Sequence, residues 1–127
     1  MTFYIHLCSK DDKNIFPDNN STQFRCLLPK TLTLKDDYEL ALIDIHGTFP
    51  TVFNVECNIV NKNVIKGQYM SILKRVYDNN NLKNILFVPV KEKYIDIIEI
   101  KLLDNDLHIL RSSSEYTLCT LCLKKSG

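Results

Sequence analysis

The nine residues Tyr38–His46, YELALIDIH, set Tyr38, Leu40 and Leu42 on one side of a two-residue alternation and Ala41, Ile43 and Ile45 on the other. Apolar residues on both sides of so short a run predict a strand buried in the middle of a sheet. Gly47 and Pro50 end it, and residues 52–60, VFNVECNIV, resume with β-branched and aromatic side chains. A sharp turn between two strands is expected there.

Working outward, short β-prone runs recur between clusters of Asn, Asp, Pro and Lys, and none sustains a long helical period. Residues 3–8 place Phe3, Ile5 and Leu7 on one face. The polar stretch 9–21 contains the turn residues Pro17, Asp18 and Asn19 and reads as a loop anchored by Phe16. TQFRCLLPKTLTL alternates Phe24, Cys26 and Leu28 until Pro29 removes a donor, so two strands or one bent edge strand are expected.

Residues 68–78, QYMSILKRVYD, fit helix and strand spacing about equally, and both readings stay open. Asn79, Asn80 and Asn81 mark a turn. Residues 85–90, 94–103, 107–110 and 116–123 are strand-like, and Asp104, Asn105 and Asp106 suit a tight hairpin turn between the last two long strands.

This rhythm predicts an all-β chain: one domain over residues 1–127 with eight or nine strands in two packed antiparallel sheets, as a sandwich, barrel or jelly roll. The expected core comprises Phe3, Ile5, Leu7, Phe24, Leu28, Leu40, Leu42, Ile98, Ile100, Leu102, Leu118 and Cys122.

Composition narrows function mainly by exclusion. Sixteen basic residues nearly cancel fifteen acidic ones, leaving a formal charge of +1, so no net field draws in nucleic acid or an anionic membrane. The opening TFYIHLCSKDD turns polar too soon for a secretory or membrane-spanning segment. Five cysteines form an odd set best read as buried thiols.

Cys119 and Cys122 form a CxxC, but on a strand positions three apart point to opposite faces, which suits neither a redox dithiol nor a zinc site. Asp96 and Glu99 are expected to diverge likewise. His6, His46 and His108 are scattered, and no phosphate loop, nucleophile elbow or metalloprotease motif occurs. No enzyme activity, cofactor, metal or catalytic residue is expected. The candidate partner contact is the turn holding Phe49, Pro50 and Phe53, whose aromatics need burial against either a partner or the protein's own core.

Several pieces, in order, resemble proteins of Polinton (Maverick) elements and adintovirus-like animal viruses. FYIHL, FPDN at 16–19, the F-x-x-x-L-P of 24–29 and YELALIDI match the opening of that family, with Phe49, Pro50, Phe53 and Asn54 at its aromatic-Pro turn. Val88 to Val90, Tyr94 to Ile100, Asp104 to Asp106 and residues 116–123 match its ending. The family's tryptophans are missing, with Tyr38 and Phe53 in or near their places, and the middle is much shorter.

The resemblance implies a jelly roll and a virion structural role as a minor capsid or penton-like subunit. Such a subunit would be made in the host cytoplasm or nucleus and would associate with its own copies, with a pentamer as one form, and with other capsid proteins. Two alternatives stay open: a β-sandwich module that binds another protein, viral or domesticated in a host, and a barrel that binds single-stranded nucleic acid through aromatics such as Phe24 and Tyr77 beside Arg25 and Arg75.

Overall fold

The computed structural model describes residues 2–77, 84–111 and 115–126. The expected turn at Asn79 to Asn81, and Asp78 at the end of the ambiguous run, lie outside the described residues. Ten strands follow one another among those described: β1 (Thr2–Cys8), β2 (Gln23–Thr33), β3 (Tyr38–His46), β4 (Val52–Cys57), β5 (Asn63–Ile65), β6 (Gln68–Met70), β7 (Ile72–Tyr77), β8 (Val88–Pro89), β9 (Tyr94–Leu103) and β10 (Leu118–Lys125).

Eight of them form two four-stranded antiparallel sheets, ordered β1-β10-β3-β8 and β2-β9-β4-β7. Pairing joins β1 with β10, β2 with β9, β3 with β8 and β4 with β7. This is one long hairpin rolled up so that β1 to β4 alternate between the two sheets and β7 to β10 alternate back, the jelly-roll arrangement. The expected all-β sandwich is therefore what the chain forms, and its strand order is that of a jelly roll.

The remaining pair, β5 and β6, is a small hairpin closed by Lys66 and Gly67, both at positive φ (49° and 74°), as the tightest two-residue turn requires. The run 68–78 is thus extended as far as Tyr77, with a break at Ser71 between β6 and β7. Its helical spacing loses to pairing: Val76 faces Phe53 across the ladder with β4, and Ile72, Leu73 and Val76 are buried.

A single apolar cluster joins the sheets, centred on Phe24, Leu40, Leu42, Phe53, Val55, Ile98, Ile100, Leu102, Leu121 and Leu123. Burying side chains of this size contributes about 1.5–3 kcal/mol each before the entropy of ordering is subtracted. Asn54, fully buried on the interior strand β4, donates from Nδ2 to the Asp104 carbonyl (3.3 Å) and pins the β9–β10 turn to the sheet.

Several expectations need correction. Leu118 is 41% exposed, because the core-facing residues of β10 are Cys119, Leu121 and Leu123. Phe3, Ile5 and Leu28 are only half-buried at the margin of the core. On β3 the register with β10 slips where Asp44 faces Thr120 but Leu42 faces Leu121, leaving Ile43 as an extra residue. That bulge brings Ile45 round to the same core as Leu40 and Leu42.

Residues 107–110 are not a strand. Leu107 has φ of 65°, and the segment makes one isolated bridge, Leu103 to Ile109. Nor do β9 and β10 form a hairpin with each other, since the chain crosses between sheets after the Asp104 turn. Ile95 and Ile98 are both buried, so alternation breaks in β9 and both carboxylates stay out of the core: Asp96 is exposed, and Glu99 Oε2 meets Arg25 Nε at 2.8 Å.

Candidate functional site: sheet edges and an apolar groove

Phe49 and Phe53 pack on each other with ring centroids 5.0 Å apart, and Phe53 is fully buried in the common core. Phe49 is half-buried against the same cluster and Pro50 is exposed. The pair is thus an internal plug, leaving Pro50 and part of one ring outside. Gly47 makes room for it: a Cβ there would collide with the Phe49 ring.

The CxxC thiols part company as alternation requires. Cys119 belongs to the central cluster, whereas Cys122 is buried outside it, beside Tyr4 and Ala41 in the ladder. Burial raises the Cys119 thiol well above the usual range, reinforced by the neighbouring Cys57, and raises Cys57 to about 12. Burial, with Asp12 and Asp11 nearby, raises Cys26 to about 11. Thiols held protonated are poor nucleophiles and poor metal ligands.

The strand order brings together histidines that are far apart in sequence. His6 and His46, with Asp44 and Thr120, line a shallow depression of about 460 Å³ on one sheet, and His6 Nδ1 lies 3.1 Å from Thr120 Oγ1. His108 lies apart, in the Asp104 turn. There the backbone N–H groups of His108 and Asp106 reach Asp104 Oδ1 at 3.0 and 2.8 Å and lower its pKa. Among the described residues no group of three or more His, Cys, Asp or Glu is placed to hold a metal ion.

A concavity of about 720 Å³ lies where β1, at the margin of one sheet, faces β2, at the margin of the other. Its walls are mainly apolar, with Phe3 and Ile5 on β1 and Leu28, Pro29 and Leu32 on β2, and Asp11, Asp12 and Lys30 also line it. The β2 wall bows because its pairing with β9 jumps from Leu27–Ile97 to Leu32–Ile95. The extra residues carry Pro29, which cannot donate to a ladder.

The two margins differ in their backbones. On β2 the Leu102 N–H donates to the Thr22 carbonyl, so Thr22, Phe24 and Cys26 bond inward to β9 while Gln23, Arg25 and Leu27 turn outward. Loop side chains meet these three outward N–H groups. Asn20 Oδ1 accepts from Gln23 (3.0 Å), Asn19 Oδ1 from Arg25 (2.9 Å) and Asp12 Oδ2 from Leu27 (2.8 Å). Asn19 Nδ2 and the Asn20 N–H also serve the Arg25 and Gln23 carbonyls, at 2.8 and 3.0 Å.

On β1 the Ser9 N–H donates to the Thr117 carbonyl at 3.0 Å in an unbroken register, so Phe3, Ile5 and Leu7 bond inward to β10. The N–H and C=O groups of Thr2, Tyr4, His6 and Cys8 therefore point outward. The Cys8 carbonyl accepts from Asp11 N–H, and no comparable loop contact covers Tyr4 or His6 among the described residues. Sequence reading missed this edge because it depends on which residues of a strand face its neighbour.

A scan against models of known protein families returns no match for this chain, and a search of curated proteins finds no relative.

Proposed function

We propose that this chain is a virion structural protein, a minor capsid or penton-like jelly-roll subunit that works by self-assembly. The observation that carries the reading is the rolled-hairpin strand order, an architecture that serves viral shells as well as lectins and cupins. Among those uses, the ordered sequence resemblance to Polinton and adintovirus-like proteins favours the shell. Assembly needs complementary edges and loops rather than reactive groups, and the buried, protonated thiols suit such a role.

The reading is tested by measuring molar mass by light scattering as concentration rises, followed by electron microscopy of any oligomer. Concentration-dependent growth into defined particles is expected. A strictly monomeric protein up to high micromolar concentration contradicts self-assembly and leaves recognition of a different protein as the better account. The viral setting is checked by the gene neighbourhood, where a double jelly-roll capsid gene and a packaging ATPase are expected.

A further inference from the structure

We propose that the outer edge of β1 is the surface through which two copies of this chain join, antiparallel about a two-fold axis, to make one continuous eight-stranded sheet. The inference rests on the self-assembly reading and adds the contact that performs it.

Exposed sheet edges invite pairing with other chains, and proteins blunt them with charges, proline, short strands or covering loops. The margins of the two large sheets at β2, β8 and β7 each carry such a feature. Asp12, Asn19 and Asn20 occupy the edge of β2 from Gln23 to Leu27. Strand β8 is two residues long, contains Pro89 and is covered by the Asn61 N–H bond to the Pro89 carbonyl. Strand β7 carries Lys74 and Arg75 at its centre. Strand β1, TFYIHLC, runs seven residues with neither proline nor glycine and, His6 apart, no ionisable charge near neutral pH.

Its pattern is also complementary to its own reverse. Outward-facing residues must oppose outward-facing residues, and one such register sets Tyr4 against His6 of the second copy and His6 against Tyr4, with Ile5 opposite Ile5. That register makes about four backbone hydrogen bonds, places aromatic rings side by side on the outer face and opposes no like charges at neutral pH. On the inner face it pairs Phe3 with Leu7 and brings these apolar side chains to the groove that Leu28 and Leu32 leave open. Loop groups occupy the β2 edge from Gln23 to Leu27, so the contact extends the sheet containing β1.

Two variants test the contact by sedimentation equilibrium over a concentration series. His6→Pro removes an outward N–H without breaking the β1–β10 ladder, and Tyr4→Lys places a charge on the edge. The wild-type chain is expected to gain mass through a two-chain species as concentration rises. Each variant is expected to weaken that shift at least about tenfold, which is 1.4 kcal/mol, while the dilute protein keeps the wild-type circular dichroism spectrum; should His6→Pro fail to fold, Tyr4→Lys decides. Variants that associate as tightly as wild type overturn the edge contact while leaving self-assembly standing. A wild-type chain that stays monomeric overturns both.

Discussion

Replacing Asn19 by alanine strips the cap from the edge of β2. Asn19 is buried, accepts from Arg25 N–H at 2.9 Å and donates to the Arg25 and Asp11 carbonyls at 2.8 and 3.2 Å. At about 1 kcal/mol net per bond, Asn19→Ala should cost about 3 kcal/mol, less whatever water recovers at Arg25. For a chain of 127 residues that is a fall in melting temperature of about 10 °C.

Asn20→Ala serves as the comparison. Asn20 also accepts three bonds at 3.0 Å, but it is exposed and water can replace it, so about 1 kcal/mol or less is expected. Urea unfolding followed by circular dichroism measures both. Asn19→Ala should also aggregate more readily, because Arg25 then presents a bare N–H and C=O to neighbouring molecules. Equal losses for the two variants, or a loss below about 0.5 kcal/mol for Asn19→Ala, would refute the edge-cap reasoning.

Two further outcomes follow from the core. Folded-state pKa values of Cys26, Cys57 and Cys119 lie above the ordinary value of 9.0, so the unfolded chain ionises first as pH rises. Their stabilising contribution is complete below pH 9 and is lost through about 11 for Cys26 and 12 for Cys57. At pH 10 each thiol removes on the order of 1 kcal/mol, and Cys57→Val should lose less stability than wild type between pH 8 and 10; the same pH dependence in that variant would count against the assignment. At the aromatic turn, Phe53→Ala should cost about 3–5 kcal/mol and Pro50→Ala under about 1, measured by thermal unfolding. A small loss for Phe53→Ala would mean that its ring is not part of the core.

The strand rhythm was legible because β-branched and aromatic runs alternate with Asn, Asp and Pro, and YELALIDIH announced an interior strand. Which face of β10 enters the core was not, since LCTLCL is apolar on both sides and only the ladder favours Cys119 over Leu118. The bulge at Ile43 inverts the alternation that assigned Ile45 to the opposite face from Leu42. Strand order, sheet edges and the meeting of His6 with His46 arise from pairings between distant residues, which a single sequence does not encode locally. The caps on β2 come from a loop whose Asn-rich composition signalled only a turn.

Residue-resolved amide hydrogen exchange at low and high protein concentration tests most directly the claim that copies join at β1. Phe3, Ile5 and Leu7 should be protected at both concentrations by their bonds to β10. Tyr4 and His6 should exchange rapidly when dilute and become protected as the chain associates. Association that leaves the Tyr4 and His6 amides exchanging as fast as in the dilute protein would contradict it.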